Sequence, residues 1–384
     1  MFKFRNFLPV AFAVVSISCS SDDDNGGSES GLDRGLVIEN YADIALTNYT
    51  DALNDAQSLK TSIDAFVAAP SASGLDNVKA AWLASRESYG TSEAFRFANG
   101  PIDSGETEEI EGLLNSWPLD EAYIDYVDGD ADAGIINNTV DFPTLNKELL
   151  ASQNGEGAEE NVSVGYHAIE FLLWGQDLDD PSAKTAGQRP YTDFVDGGTA
   201  QNQDRRREYL SICADLLVEH LQVIVDAWGG SYQQTFFGLS QKQALSNMLA
   251  SIAELSSSEL AIERMAVALQ NQDQEDEHSC FSDNTHRDIR LNWQGIKNVY
   301  TGSYASVSGA SLADLVEEAD ADLAAELNTL LLDADTKINA TLIPFDLAIS
   351  GGESSAEGAK VLAAVQALVA FGDKLLEAKT TLDI

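Results

Sequence analysis

The chain has 384 residues, with 22 Lys and Arg against 63 Asp and Glu, and a formal net charge of −41. A field of that sign repels phosphate backbones and concentrates cations, which argues against nucleic acid as a partner; most of the acidity serves solubility. Only eight prolines occur, and no alternation of apolar and polar residues persists, so the pattern is helical nearly throughout.

The N-terminus carries targeting information. Lys3 and Arg5 precede the apolar run FLPVAFAVV, and Ser16-Ile17-Ser18 leads into Cys19. This reads as a charged n-region, a short h-region and a small-residue cleavage site, too short to span a bilayer. Cleavage directly before a cysteine resembles bacterial lipoprotein processing: a signal peptide over 1–18, acylation of Cys19, and an acidic tether over 19–35. The run Ser20-Ser21-Asp22-Asp23-Asp24-Asn25 resembles the acidic export signal of bacterial surface lipoproteins. The expected location is therefore the outer membrane, reached through the lipid anchor and exposed on the cell surface, with a periplasm-facing placement as the alternative. The spacing of the remaining Cys213 and Cys280 suggests no bridge.

After the tether, helical periodicity runs over about 36–68, 74–97, 143–152, 162–175 and 201–228. Gly229-Gly230 is a stop signal, after which helices are expected at about 239–271, 287–298, 311–340 and 354–380. The reading is all-α, with two helical bundles over 36–235 and 236–384. The first contains an irregular stretch, 98–142, rich in Gly, Asp and Pro, of the kind that lines sites.

Gly165-Tyr166-His167-Ala168-Ile169-Glu170 places an imidazole and a carboxylate three apart on one helix face, where both reach one cation. A zincin needs H-E-x-x-H, and the inverted form needs a histidine where this chain has Phe171. Di-iron bundles use the reverse order, E-x-x-H. A metal site draws at least three ligands, so Glu93, Asp103 and Asp120, or the later His278, Asp283 and His286, are candidates to join His167 and Glu170. An internal His167–Glu170 hydrogen bond closing a buried polar pair is the structural alternative. Arg86 and Arg96 would orient those carboxylates or hold an anion. The stretch 275–286, with His278, Asp283 and His286, precedes a helix that Asp283, Asn284 or Thr285 would cap.

These residues resemble the imelysin family, in particular its iron-regulated, lipoprotein-anchored members. The resemblance covers roughly 36–380. It rests on Gly165, His167 and Glu170 of G-x-H-x-x-E, on R-x-x-Y…E-x-F-R-F-x-x-G-P-I-D at 86–103, on WPLDEAYID from Trp117, and on CFSDNTH…G-I-x-N-V-Y-x-G at 280–302. It implies two helical bundles related by an approximate repeat, with the motif helix near a cleft between them. ELAIERMAVAL at 259–269 resembles the family's second-domain helix, with Ile262 where a glycine is expected. The family is classed as metallopeptidases, yet its members are tied to iron uptake. If Glu170 is a ligand it cannot also be a catalytic base, so binding of a divalent or ferric ion, iron or zinc, in iron or haem acquisition is favoured over proteolysis. A partner would then be an outer-membrane iron or haem transport component. A metallopeptidase and a metal-independent partner-binding module are the other readings.

Overall fold

A computed structural model describes residues 31–103 and 110–384. The expected signal peptide, Cys19 and most of the tether lie outside the described residues. Two long helices open the fold. Asp33 caps α1 (Arg34–Ala68) by accepting from the Gly35 amide, and Ser71 caps α2 (Ala72–Ser92) by accepting from the Gly74 amide. They are joined by three residues that include Pro70, and they pack along one another. The motif helix α3 (Gly165–Trp174) packs on α2 and on α4 (Gln203–Trp228), and α4 lies against α1.

The second half is built on a long helical stretch. It begins as α5 (Gln241–Glu254), continues as a π-helix over Leu255–Ala266 and ends as a short helix over Val267–Asn271. The segment 259–269 spans the end of the π-helix and the start of the short helix, and Ile262 is exposed. It is followed by α6 (Thr285–Thr301), α7 (Leu312–Ala319), α8 (Ala321–Asn339) and α9 (Gly358–Thr381). The helix expected over 311–340 is two helices, because the Asp320 side chain accepts from the Asp322 and Leu323 amides and starts a new one. A small antiparallel hairpin, Ser303–Tyr304 with Val307–Ser308, also escaped the periodicity.

Helix α2 is the hinge of the packing. It contacts α1 and also α6, at a crossing close enough that a Cβ on Gly295 would lie 2.3 Å from the Thr91 carbonyl oxygen. Residue 235, the expected boundary, lies within the Ser231–Phe237 helix. Beyond it, α5 reaches α1 and α6 reaches α2 directly, and Leu32–Ile384 forms one compact unit. Its core runs through Trp82, Trp228 and Trp293, all buried. Cys213 and Cys280 are buried and free. Among the described residues, no helix is long and apolar enough to cross a membrane.

Candidate functional site

Helix α3 begins where a side chain does not fit. Gly165 has a φ of 91°, and a Cβ there would lie 2.6 Å from the Leu114 carbonyl oxygen, so any other residue meets both strain and a clash. This close approach seats α3 against the Ile110–Asn115 helix, and all of α3 is buried. His167 and Glu170 are inaccessible to solvent, and His167 Nδ1 lies 2.9 Å from Glu170 Oε2. Glu170 Oε1 accepts from the Ser282 amide at 3.0 Å and from the Ser282 hydroxyl at 2.6 Å. Burial pushes the Glu170 carboxyl up to about 8. Burial, aided by His278 and Arg86, holds the His167 imidazole well below its usual range. Both groups are uncharged at neutral pH.

A second pair stands beside the first. His278 Nδ1 lies 2.9 Å from Asp288 Oδ2, which also accepts from the Ser279 hydroxyl at 2.5 Å, while Asp288 Oδ1 accepts from Arg86 Nη2 at 3.1 Å. Burial would raise Asp288, but Arg86 and His278 outweigh it and keep the carboxylate charged far below the usual range. Burial, with Arg264 nearby, brings His278 down to about 4, so it too is neutral. The two imidazoles sit edge to face with centroids 4.6 Å apart. Trp117 packs at 5.0 Å from His167 and 6.4 Å from His278. His278 Nε2 lies 3.4 Å from Asn115 Nδ2, whereas His167 Nε2 is buried with no hydrogen-bond partner among the described residues. The ionised Asp288 on His278 Nδ1 fixes that ring with its lone pair on Nε2, and Glu170 does the same for His167 once its carboxyl ionises.

Of the two pairs, His278 stands on the wall of an open cavity of about 1170 Å³, whose lining also includes Arg96, Asp103, Glu111, Trp117 and Glu259. Arg96 is ringed by carboxylates, at 2.9 Å from Glu259, 3.2 Å from Glu111, 3.7 Å from Asp103 and 3.8 Å from Glu93. Arg264 lies 2.7 Å from Glu93 and 3.1 Å from Glu259. Burial lifts Asp103 and Glu111 to about 7 even beside Arg96.

Of the five expected metal ligands, only His167 and Glu170 touch. Glu93 is buried against Arg264 and reaches the histidines only through Asn115, whose Nδ2 lies 3.4 Å from Glu93 Oε1. Asp103 is on the cavity wall beside Arg96. Asp120 is a helix cap, accepting from the Ala122 amide at 3.0 Å at the start of Glu121–Ile124. Asp283 takes a left-handed turn with a φ of 58° and is lifted to about 7 by burial and by Asp346 and Asp177. His286 Nδ1 meets the Asp283 carbonyl at 2.9 Å. Arg86 holds Asp288 and Asn115 rather than the expected carboxylates. Among the described residues no three His, Cys, Asp or Glu converge on a metal position. Sequence reasoning did not assign Asn115, Ser279, Ser282, Asp288 or Arg264. The signal for Ser282 and Asp288 lay inside the 280–302 block, and Asn115 stands two residues before Trp117.

An all-helical fold whose G-x-H-x-x-E helix sets a carboxylate-held histidine beside a second such pair, at the edge of an acidic cavity, defines a specific class of protein. The chain belongs to the imelysin family, whose model matches residues 45–375. It is 24% identical over 363 residues to "Iron-regulated protein A" of Synechococcus elongatus, covering 91% of this chain and 86% of that protein. The fold is similar to that of a putative iron-regulated protein A precursor from Parabacteroides distasonis, with a TM-score of 0.70 and 21% identity, covering 92% of this chain and 97% of that one. It is also similar to that of an imelysin-like protein from Psychrobacter arcticum, with a TM-score of 0.64 and 15% identity, covering 91% and 96% of the two chains.

Proposed function

We propose that this protein captures iron as cargo at His167 and His278, beside the acidic cavity. One observation carries the reading: His167 Nε2 is buried and unpartnered while Glu170 meets Nδ1, and the ring adjoins His278, whose Nδ1 faces the ionised Asp288. Imidazole nitrogens suit iron and zinc alike. The relatives named for iron regulation favour iron. Glu170 acts by orienting the imidazole, since its Oε1 is taken by Ser282. The remaining coordination positions fall to water or to the cargo's own donors. A zinc peptidase would need a third protein ligand and a free carboxylate base, and nothing in the geometry favours that reading over binding.

The N-terminal sequence supports a surface-exposed outer-membrane lipoprotein anchored at Cys19, placed to pass its cargo to an outer-membrane iron or haem transport component. The test is growth under iron limitation of a strain lacking the gene, complemented with the wild type, His167→Ala or His278→Ala. The variants are expected to reach the membrane at wild-type levels and fail to restore growth. Full restoration by either variant refutes the proposal.

A further inference from the structure

We infer that Glu277 and Asp346 bind a hard divalent cation, Ca²⁺ or Mg²⁺, in a site of oxygen donors that uses neither His167 nor His278. The two carboxylates come from segments far apart in the chain, Glu277 from the stretch that leads into α6 and Asp346 from the short helix Phe345–Ile349. Asp177, just beyond the end of α3, stands with them.

Buried charge singles these residues out. Most buried carboxylates of the fold have a guanidinium partner: Glu93 has Arg264, Asp125 has Arg189 and Arg206, Asp193 has Arg189, and Asp288 has Arg86. Glu170 has His167 and Ser282. Among the described residues, the buried carboxylates left without an ion pair are Asp177, Glu277 and Asp346. They face one another, since Asp346 and Asp177 both act on Glu277 through space, as does the partly buried Asp283. Lys184 acts on Asp346, but from an exposed position.

Like charges facing one another away from water are unfavourable unless something neutralises them. A proton alone does not satisfy them. Glu277 Oε1 and Asp346 Oδ1 are buried with no hydrogen-bond partner among the described residues, whereas a protonated oxygen needs an acceptor and an unprotonated one needs a donor. A cation neutralises the charge and occupies the free lone pairs together. Carboxylate oxygens are the donors that Ca²⁺ and Mg²⁺ take and that softer metals do not favour. Among the described residues no three His, Cys, Asp or Glu converge on one point. The ion therefore takes Glu277 and Asp346 directly and fills its shell with water, a mode open to hard cations, while Asp177 and Asp283 balance its charge. Such an ion ties Phe345–Ile349 to the stretch that carries His278 and Ser282.

The test is calorimetric titration of the full-length protein, in detergent and freed of metal by chelation, with Ca²⁺ and Mg²⁺ in turn at fixed ionic strength. One equivalent of at least one of the two ions should bind with a Kd of about 0.1–1 mM, the range of weak calcium modules. Glu277→Gln and Asp346→Asn should each weaken binding at least about tenfold, and Glu39→Gln, which removes an exposed carboxylate of α1, should leave it unchanged. Thermal unfolding separates a lost ligand from a lost fold. Without the ions both site variants should melt no lower than the wild type, because each loses an unpaired buried charge, and on adding the ion only the wild type and Glu39→Gln should gain Tm. No site for either ion, wild-type affinity in both site variants, or an equal loss in Glu39→Gln overturns the inference. So does melting of both site variants well below the wild type without the ions, because the carboxylates then have protein partners. Each of these outcomes leaves the iron-binding role standing.

Discussion

Metal binding at His167 should release one proton and tighten as pH rises toward 8. With Glu170 protonated, its hydroxyl donates to His167 Nδ1 and the neutral imidazole keeps its own proton on Nε2. A cation reaches the Nε2 lone pair only after this tautomer reverses. Glu170 ionises, Nδ1–H donates to the carboxylate, and one proton leaves. Because burial sets the Glu170 carboxyl at about 8, apparent affinity should rise about tenfold per pH unit below that value, or about 1.4 kcal/mol per unit, and flatten above it. Across two units this is about a hundredfold. His278, at about 4, and Asp288, held lower still, do not titrate in this interval. Asp103 and Glu111, near 7, act only through space from the cavity wall. Glu170→Gln separates the two contributions: its amide donates permanently to Nδ1 and holds the wrong tautomer, so affinity should fall about 10–100-fold and the proton should not be released. Calorimetric titration with Fe²⁺ or Zn²⁺ in two buffers of different ionisation enthalpy counts the proton directly. Affinity that is flat or falling between pH 6 and 8, or proton release unchanged in Glu170→Gln, refutes the reasoning.

Gly165→Ala should cost about 3 kcal/mol or more in urea denaturation, since the new Cβ meets the Leu114 carbonyl oxygen at a φ of 91°. Asp288→Asn strands the buried Arg86 guanidinium and should destabilise by about 3–5 kcal/mol. Asp288 is depressed in the folded protein, so its contribution is present above the ordinary carboxylate value and is lost as pH falls through the folded one; acid unfolding below about pH 4 should be shallower in Asp288→Asn. Ser282→Ala removes the hydroxyl donor to Glu170 and should lower stability by about 1–3 kcal/mol while weakening metal binding, with Ser282→Thr restoring both.

Local signals made the helices legible. Asp33, Ser71 and Ser240 cap where the periodicity begins, and the reading failed at Asp320, where an acidic residue inside an apolar pattern serves as a cap. The same ambiguity misled the reading of Asp120, whose oxygen satisfies a helix terminus instead of a cation. His167 and Glu170 were legible as a pair because three residues on a helix fix their proximity. The partners of that pair were not. Ser282 reaches Glu170 across 112 residues, through a loop that turns at the left-handed Asp283, and His278 meets His167 only because α6 is seated against α2. Pattern along one chain carries no information about such approaches.

The central claim is that His167 Nε2, freed when Glu170 ionises, binds a metal beside His278. Equilibrium dialysis of the purified protein against Fe²⁺ without oxygen, followed by elemental analysis of wild type and His167→Ala with folding checked by circular dichroism, tests it most directly. The account predicts one equivalent of iron in the wild type and none in a folded His167→Ala. Equal iron in both proteins, or none in the wild type at saturating Fe²⁺, contradicts it.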